Sequence, residues 1–143
     1  MKGSRVRQAA DRGNSTAKRP LIRASLAIRC DSMRGQSRAM RNAIALVLIA
    51  RNEERCIARC LDSARAHVDE MIVLDTGSTD ATREIAARSG ARVLSAEWPD
   101  DFSAARNLAL SHTEAPWRLV MDADEWIASG AECLAALRMR EPA

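Results

Sequence analysis

The stretch AIALVLIA at residues 43–50, followed by RNEERCIARCLDSARA at residues 51–66, decides the fold class. Eight consecutive apolar residues bounded by polar ones predict a fully buried strand. The second segment repeats its apolar residues at helical spacing, which predicts an amphipathic helix from residue 53 to residue 66 with acidic residues in its first turn. A buried strand followed directly by such a helix is typical of a parallel βα sheet.

The same alternation of apolar runs and amphipathic segments continues along the chain. Three further strands are predicted at residues 71–74, 91–95 and 117–121, and a helix is predicted at residues 102–111. We therefore expect one domain with an α/β fold, in which helices flank a four-stranded parallel sheet.

Residues suited to helix ends complete this pattern. Residues 78–80 offer N-cap oxygens for a helix that runs to Arg88, and Gly90 is suited to end that helix. Residues 129–130 precede a last helix. One face of it is expected to carry Cys133, Leu134 and Leu137.

An uneven distribution of charge separates a tail from a domain. The net charge is +3, yet residues 1–41 contain 11 of the 22 Lys and Arg, and residues 42–143 have a net charge of −6. Residues 1–41 are therefore predicted to be a disordered basic extension, with a transit-peptide-like leader or translation from upstream of the natural start as alternatives. An acidic domain with 3% aromatic residues and no basic helix stripe argues against nucleic acid as a partner.

Apolar runs and cysteines indicate a cytoplasmic protein. The longest apolar run, residues 43–50, is far shorter than the ~20 residues of a membrane-spanning helix, so none is predicted. The four cysteines lack zinc-type pairing and the pattern of a small secreted protein, which favours reduced, mostly buried thiols. Cys56 and Cys60 are expected to pack in the core, as are Trp98 and Trp117.

Polar loops follow three of the predicted strands, at residues 51–53, 75–78 and 122–125. Because the carboxyl ends of parallel strands meet at one edge of a sheet, these loops are expected to converge. Asp122 and Asp124 point to the same side of an extended backbone. Paired carboxylates in that position suit a hard divalent cation such as Mg²⁺.

The loop after the second strand has the composition of a nucleotide-binding turn. Asp75 stands at the strand end, Gly77 lets the backbone approach a ligand closely, and a helix N-terminus follows. The chain contains neither a GxGxxG fingerprint nor a P-loop, which argues against NAD redox chemistry and ATP hydrolysis.

Four sequence motifs occur in order along the domain. They are LIARNEE at residues 48–54, VLDTGSTD at 73–80, FSAARN at 102–107 and DADE at 122–125. Together they resemble family 2 glycosyltransferases of the GT-A fold, over about residues 43–139, and are similar to a bacterial branch often joined to helical repeats. The resemblance implies a Rossmann-like GT-A parallel sheet with flanking helices, of which this chain is the donor-binding half.

The resemblance also implies a nucleotide-sugar donor and a divalent metal, Mn²⁺ or Mg²⁺. Asp75 would contact a uracil-type base, and Arg106 would approach the donor. Asp122 would lie near the ribose, and Asp124 would be the principal metal ligand. The implied substrate-binding residues are Ala50, Asn52, Glu53, Asp75, Gly77, Ser78, Arg106 and Asp122, and the implied metal ligands are Asp124 and Asp122.

The sequence departs from the family pattern after the acidic loop. Family members continue into a region that binds the acceptor and supplies a catalytic base, so we expect the domain at residues 42–143 to be incomplete at its C-terminus. The catalytic base and the acceptor, whether glycan, lipid or protein, stay unassigned. Metal-assisted, inverting glycosyl transfer is the first hypothesis, and a non-catalytic nucleotide-binding remnant is the alternative. A haloacid-type phosphatase is disfavoured, because Asp122 follows the fourth strand rather than the first.

Overall fold

Four strands and four helices alternate along residues 42–140, which are the residues that the computed structural model describes. The strands are β1 (Ile44–Ala50), β2 (Glu70–Asp75), β3 (Arg92–Ser95) and β4 (Trp117–Val120). The helices are α1 (Ile57–Ala64), α2 (Thr82–Arg88), α3 (Phe102–Ser111) and α4 (Glu132–Leu137). The predicted βα alternation is confirmed, whereas the basic extension predicted for residues 1–41 lies outside the described residues.

The four strands form one parallel sheet in the order β3-β2-β1-β4. Val47 of β1 pairs with Ile72 of β2 on one side and with Val120 of β4 on the other. In chain order, β2 and β3 are thus added on one side of β1, and β4 is then added on the other side of β1. Such a reversal of strand order leaves a crevice at the carboxyl ends of the two strands that flank it, here β1 and β4.

Strand β1 is buried on both faces of the sheet, as its uninterrupted apolar sequence predicts. Ile44, Leu46 and Leu48 belong to the core cluster covered by α1, α2 and α4. Ala45 and Val47 belong to the second cluster, which α3 covers. Within residues 42–140 no helix has the length and apolar character needed to cross a membrane.

Helix α1 begins at Ile57, later than predicted, because the chain turns sharply at Asn52. Asn52 adopts a left-handed conformation with φ of 55°. The amides of Glu53 and Glu54 then donate to side chains of the loop that follows β2. The acidic residues predicted for the first helical turn therefore precede the helix.

Helix α2 begins at Thr82, and its N-cap residue is Ala81, whose side chain makes no capping hydrogen bond. The N-cap residue therefore lies one position after the predicted segment, residues 78–80. Asp80, which belongs to that segment, still accepts a hydrogen bond from the amide of Thr82, the first helical residue (3.0 Å). The other polar side chains of this segment contact the loop after β1 instead.

The predicted end of α2 at Gly90 is confirmed. Gly90 has a φ of 83°, a left-handed conformation that glycine adopts without steric cost. The amide of Gly90 donates to the carbonyl of Ala87 (2.9 Å), and that of Ala91 donates to the carbonyl of Ala86 (3.1 Å). These two bonds form a Schellman motif and satisfy carbonyls at the helix end.

Helix α4 departs from its prediction at one residue. Leu134 is buried and Leu137 packs half-buried against the same core cluster, but Cys133 is exposed. Cys133 lies about 100° around the helix from Leu134, which turns it away from the core. Cys60 is buried, Cys56 is half-buried and all three thiols are free, so the expectation of mostly buried cysteines is wrong for Cys133.

Candidate functional site

A cleft of about 410 Å³ lies at the carboxyl ends of β1 and β4, where the strand order reverses. This volume is within the range of small-molecule sites, ~300–1,000 Å³. The cleft brings together residues that follow each of the four strands and residues of the first two turns of α3. The lining residues are Ile49, Ala50, Arg51, Glu53, Thr76, Trp98, Phe102, Arg106, Asp122, Ala123 and Asp124.

The loops after β1 and β2 are joined by reciprocal hydrogen bonds. The Asn52 amide donates to Ser78 Oγ (2.9 Å), and the Thr79 amide donates to Asn52 Oδ1 (2.8 Å). The Glu53 amide donates to Thr82 Oγ1 (2.8 Å). Asn52 and Ser78, both predicted to bind substrate, thus use their polar groups to connect the loops and do not line the cleft.

A second exchange of hydrogen bonds lies further from the cleft. The Glu54 amide donates to Asp80 Oδ2 (3.2 Å), and the Ala81 amide donates to Glu54 Oε2 (3.1 Å). Desolvation raises the pKa of the Asp80 carboxyl, but hydrogen bonds from the Thr82 hydroxyl and amide and from the Glu54 amide outweigh it and lower that pKa below its ordinary value. The carboxylate therefore stays ionised and holds both loops.

Asp75 is buried at the end of β2 with one carboxylate oxygen unpaired. Its Oδ2 accepts from the amides of Gly77 (3.2 Å) and Ser78 (3.1 Å), and Arg83 Nε lies 3.9 Å away. Its Oδ1 is buried and has no hydrogen-bond partner among residues 42–140. A buried carboxylate oxygen without a partner costs free energy. Asp75 itself does not line the cleft, but its neighbour Thr76 does.

Gly77 is required by backbone conformation rather than by crowding. Its φ of 98° is a strained backbone conformation for any residue that has a side chain. No heavy atom lies within 4 Å of the position that a Cβ would occupy. The turn after Asp75 therefore needs glycine to present the Gly77 and Ser78 amides to the carboxylate.

The acidic loop, residues 122–125, is a closed turn at the end of β4. The Asp122 amide donates to Glu125 Oε2 (3.0 Å), and the Glu125 amide donates to the Asp122 carbonyl (3.0 Å). Arg106 Nη2 lies 3.3 Å from Asp122 Oδ1, and Arg106 Nε is buried with no partner among the described residues. Asp122, Asp124 and Arg106 all line the cleft, and the predicted convergence of the strand-end loops is confirmed by Arg51, Glu53 and Thr76, which line it as well.

Helix α1 supports the acidic loop and the residues after it through three side-chain contacts. The Cys60 thiol donates to the Asp122 carbonyl (3.6 Å), Ser63 Oγ accepts from the Ile127 amide (2.9 Å), and the Arg59 guanidinium lies 3.5 Å from the centre of the Trp126 ring. Burial, followed by the nearby carboxylates of the acidic loop, raises the pKa of the Cys60 thiol to about 12. The thiol therefore stays protonated and keeps its role as a donor. Sequence reasoning assigned Cys60 to the core but missed this support.

Replacing Ser63 with alanine is expected to lower the free energy of unfolding by about 1 kcal/mol, because the Ile127 amide loses its acceptor. Ser111→Ala is the matched control. The Ser63 and Ser111 hydroxyls each donate to the carbonyl three residues earlier (2.7 Å), but Ser63 also holds the acidic loop. Urea denaturation of both variants, with hydrogen exchange at Ile127, measures the difference. Equal destabilisation by the two substitutions would contradict the support of the loop by α1.

Asp122 and Asp124 are the cleft residues suited to the predicted divalent cation. Their carboxylate oxygens are the hard donors that Mn²⁺ and Mg²⁺ take. Within residues 42–140 no group of three or more His, Cys, Asp or Glu could hold a metal ion. The donor set therefore fits a cation that completes its coordination with water and with oxygens of a bound ligand.

Trp98 and Phe102 form part of the cleft wall that sequence reasoning missed. Trp98 was expected to pack in the core. It does pack against the α3 side of the sheet, but it also lines the cleft beside Phe102. Trp117, expected in the core as well, is buried there. Clustering of two of the four aromatic residues near the motif FSAARN was the signal available in the sequence.

Comparison with known sequences identifies the family. Residues 45–139 match the sequence profile described as Glycosyl transferase family 2. The chain belongs to this family. Its parallel α/β sheet with flanking helices is accordingly that of GT-A glycosyltransferases, as the four motifs predict.

Two relatives of this family 2 chain illustrate its context. It is 51% identical over 82 residues to a TPR repeat-containing protein of Synechococcus elongatus, which covers 57% of this chain and 20% of that protein. It is 39% identical over 82 residues to an uncharacterized glycosyltransferase of Rickettsia typhi, which covers 57% of this chain and 28% of that protein. The chain thus spans less than a third of the length of either relative.

The fold also matches a solved enzyme structure. Glucosyl-3-phosphoglycerate synthase of Mycobacterium tuberculosis aligns with a TM-score of 0.53 at 35% identity, which covers 61% of this chain and 37% of that one. The same enzyme in complex with Mn²⁺ and UDP-glucose aligns with a TM-score of 0.50 at 38% identity, over 57% of this chain and 33% of that one.

Proposed function

We propose that this family 2 chain binds the nucleotide diphosphate part of a nucleotide-sugar donor together with a divalent cation, for glycosyl transfer. One observation carries the proposal. The carboxylates of Asp122 and Asp124 line the cleft after β4, and Asp75, whose buried Oδ1 has no partner among residues 42–140, lies at the end of β2 directly before the cleft residue Thr76, which supports cation ligands on one side of the crevice and a base acceptor on the other. The alignment with an enzyme crystallised with Mn²⁺ and UDP-glucose supports it.

The base end of the proposed site depends on the geometry of Asp75. A uracil-type base presents an N–H on its pairing edge, and Asp75 Oδ1 is an acceptor without a partner in residues 42–140. A charged acceptor inside the protein gives a strong and selective hydrogen bond. Ala50 and Glu53 form the adjoining wall. Asn52, Gly77 and Ser78 contribute by fixing the two loops in this conformation.

The diphosphate end of the proposed site depends on Asp122, Asp124 and Arg106. When bound there, Mn²⁺ or Mg²⁺ would neutralise negative charge on the diphosphate as it leaves. Asp124, supported by Asp122, would hold the cation. The Arg106 guanidinium, which lines the cleft and lies 3.3 Å from Asp122, would make a charge-assisted contact with phosphate.

Binding of UDP to the 143-residue chain tests the proposal, with and without the cation. UDP is expected to bind in Mn²⁺ and to bind much more weakly in EDTA, because Glu53, Asp122 and Asp124 repel phosphate when no cation is present. Isothermal titration calorimetry in both buffers measures the two affinities. Equal affinity would remove the cation from the proposal, and absence of binding by UDP, GDP and dTDP would overturn it.

A second candidate is nucleotide binding without transfer. The carboxylates that line the cleft are Glu53, Asp122 and Asp124, and all three belong to the loops that would hold the donor itself. Transfer also requires a base beside the acceptor hydroxyl, and sequence and cleft assign that role to no described residue. An assay with several nucleotide sugars and with glycan, lipid and protein acceptors distinguishes the candidates, since acceptor-dependent product forms under the first alone.

A further inference from the structure

Phe102 and Trp98 form an aromatic pair on the wall of the cleft. Their ring centroids are 4.7 Å apart, and the ring planes are inclined by 73°. Phe102 is the chain's single phenylalanine, yet 69% of it is exposed. Because an apolar ring in water forgoes the stabilisation of burial, its place beside a cleft indicates an apolar surface that a ligand covers.

The segment that leads to the pair is bonded to the end of β2, where Asp75 lies. The Ala96 amide donates to the Asp75 carbonyl (2.9 Å), which holds the segment leading to Trp98 against the end of β2. Arg106 follows Phe102 by one turn of α3, on the same helix face, and contacts Asp122. Helix α3 therefore places an aromatic ring and a guanidinium in consecutive turns on the wall of the cleft, the guanidinium against the acidic loop.

We infer that Phe102, oriented by Trp98, is the surface on which the nucleobase of the donor stacks, an inference that rests on the proposed function. In an edge-to-face pair, one ring turns its edge to the other, so the pair leaves ring faces available to a ligand. Nucleobases stack readily on aromatic side chains because every base has a π-face. Asp75 would then accept a hydrogen bond from the edge of the base, and Phe102 would stack against its face.

Phe102→Ala is the variant that tests the inference. Stacking of one base on one aromatic side chain corresponds to an affinity change of about 5- to 150-fold. UDP in Mn²⁺ is therefore expected to bind the variant more weakly by that factor, whereas pyrophosphate in Mn²⁺, which has no base, binds as it does to the wild type. Phe102→Trp, which keeps an aromatic face, should retain UDP binding. Calorimetry with the two ligands measures both effects.

Leu108→Ala is the matched control, because Leu108 is an exposed apolar residue of the same helix that does not line the cleft. It should leave the affinities of UDP and pyrophosphate unchanged. If the wild type binds UDP and Phe102→Ala binds it equally well, the inference fails while the proposed function stands. If Phe102→Ala weakens UDP-glucose but not UDP, the ring meets the sugar and the base-stacking inference is overturned. If the wild type does not bind UDP in Mn²⁺, the proposed function itself has failed.

Discussion

Asp124→Asn is expected to abolish the Mn²⁺-dependent part of UDP binding, with a loss of at least about 100-fold in affinity measured in Mn²⁺. Loss of a residue that merely orients a metal ligand typically costs ~10–100-fold in metal affinity, so loss of the principal ligand should cost more. The substitution keeps the shape of a side chain that lines the cleft and removes its charge. Binding measured in EDTA should be no weaker than in the wild type, because one carboxylate that repels the diphosphate has been removed.

The fold should survive this change. An isosteric replacement in a loop typically changes the free energy of unfolding by about 1 kcal/mol or less, so the melting temperature should shift by a few degrees at most. Asp62→Asn is the matched control, since Asp62 is an exposed carboxylate of α1 paired with Arg65 and outside the cleft. It removes the same charge and should leave Mn²⁺-dependent binding intact. If Mn²⁺ increased the UDP affinity of Asp124→Asn as much as that of the wild type, binding of the cation would not depend on this residue.

Asp75→Asn is expected to reverse the base preference from UDP toward CDP. The carbonyl oxygen of the new amide should take the place of Oδ2, because the amides of Gly77 and Ser78 need an acceptor there. The NH₂ group then replaces the unpaired Oδ1 and turns an acceptor into a donor. The uracil N–H would then face the NH₂ group of the asparagine, which is also a donor, whereas the unprotonated ring nitrogen of cytosine would accept a hydrogen bond from it. Affinity for UDP should fall about 100-fold or more, since a site built for one hydrogen bond strongly rejects its mismatch.

The measurement is a comparison of UDP and CDP titrations, both in Mn²⁺, for the wild type and the variant. Asp69→Asn is the control for effects that act through stability alone, because Asp69 Oδ2 also accepts a backbone amide, that of Ile44 (2.8 Å), but at the opposite end of the sheet. This substitution should lower the affinities for UDP and CDP equally or leave both unchanged. An Asp75→Asn variant whose UDP-to-CDP ratio equals that of the wild type would mean that Oδ1 does not face the base.

The sequence predicted those features that depend on local pattern. The bounds of α3, the end of α2 at Gly90 and the convergence of the strand-end loops follow from apolar runs, glycine conformation and strand direction, and all are confirmed. The four motifs also predicted the family, which the profile match shows. Each of these features is set by residues close together in the chain or by the direction of parallel strands.

Features that depend on contacts between distant segments could not be predicted. The sequence did not reveal that Asn52 and Ser78, both implied to bind substrate, take part in hydrogen bonds that connect the two loops. The support of Asp122 by Cys60 depends on the packing of α1 beneath a loop 62 positions later. Trp98 reaches the cleft because the end of β3 is held against β2, and no periodicity in its own segment reveals that.

The pairing of β1 with β4 also determines when the site forms during folding. Strands β1, β2 and β3 follow one another with short connections, whereas Ile44 of β1 pairs with Trp117 of β4 across most of the described chain. Closing that longer loop costs more conformational entropy, and topologies rich in such distant pairings fold more slowly. An intermediate that contains β1 to β3 would hold Asp75 but lack the acidic loop. We therefore expect the cleft to form only once β4 has paired with β1, so that binding of a nucleotide with its cation would report that this distant pairing is in place.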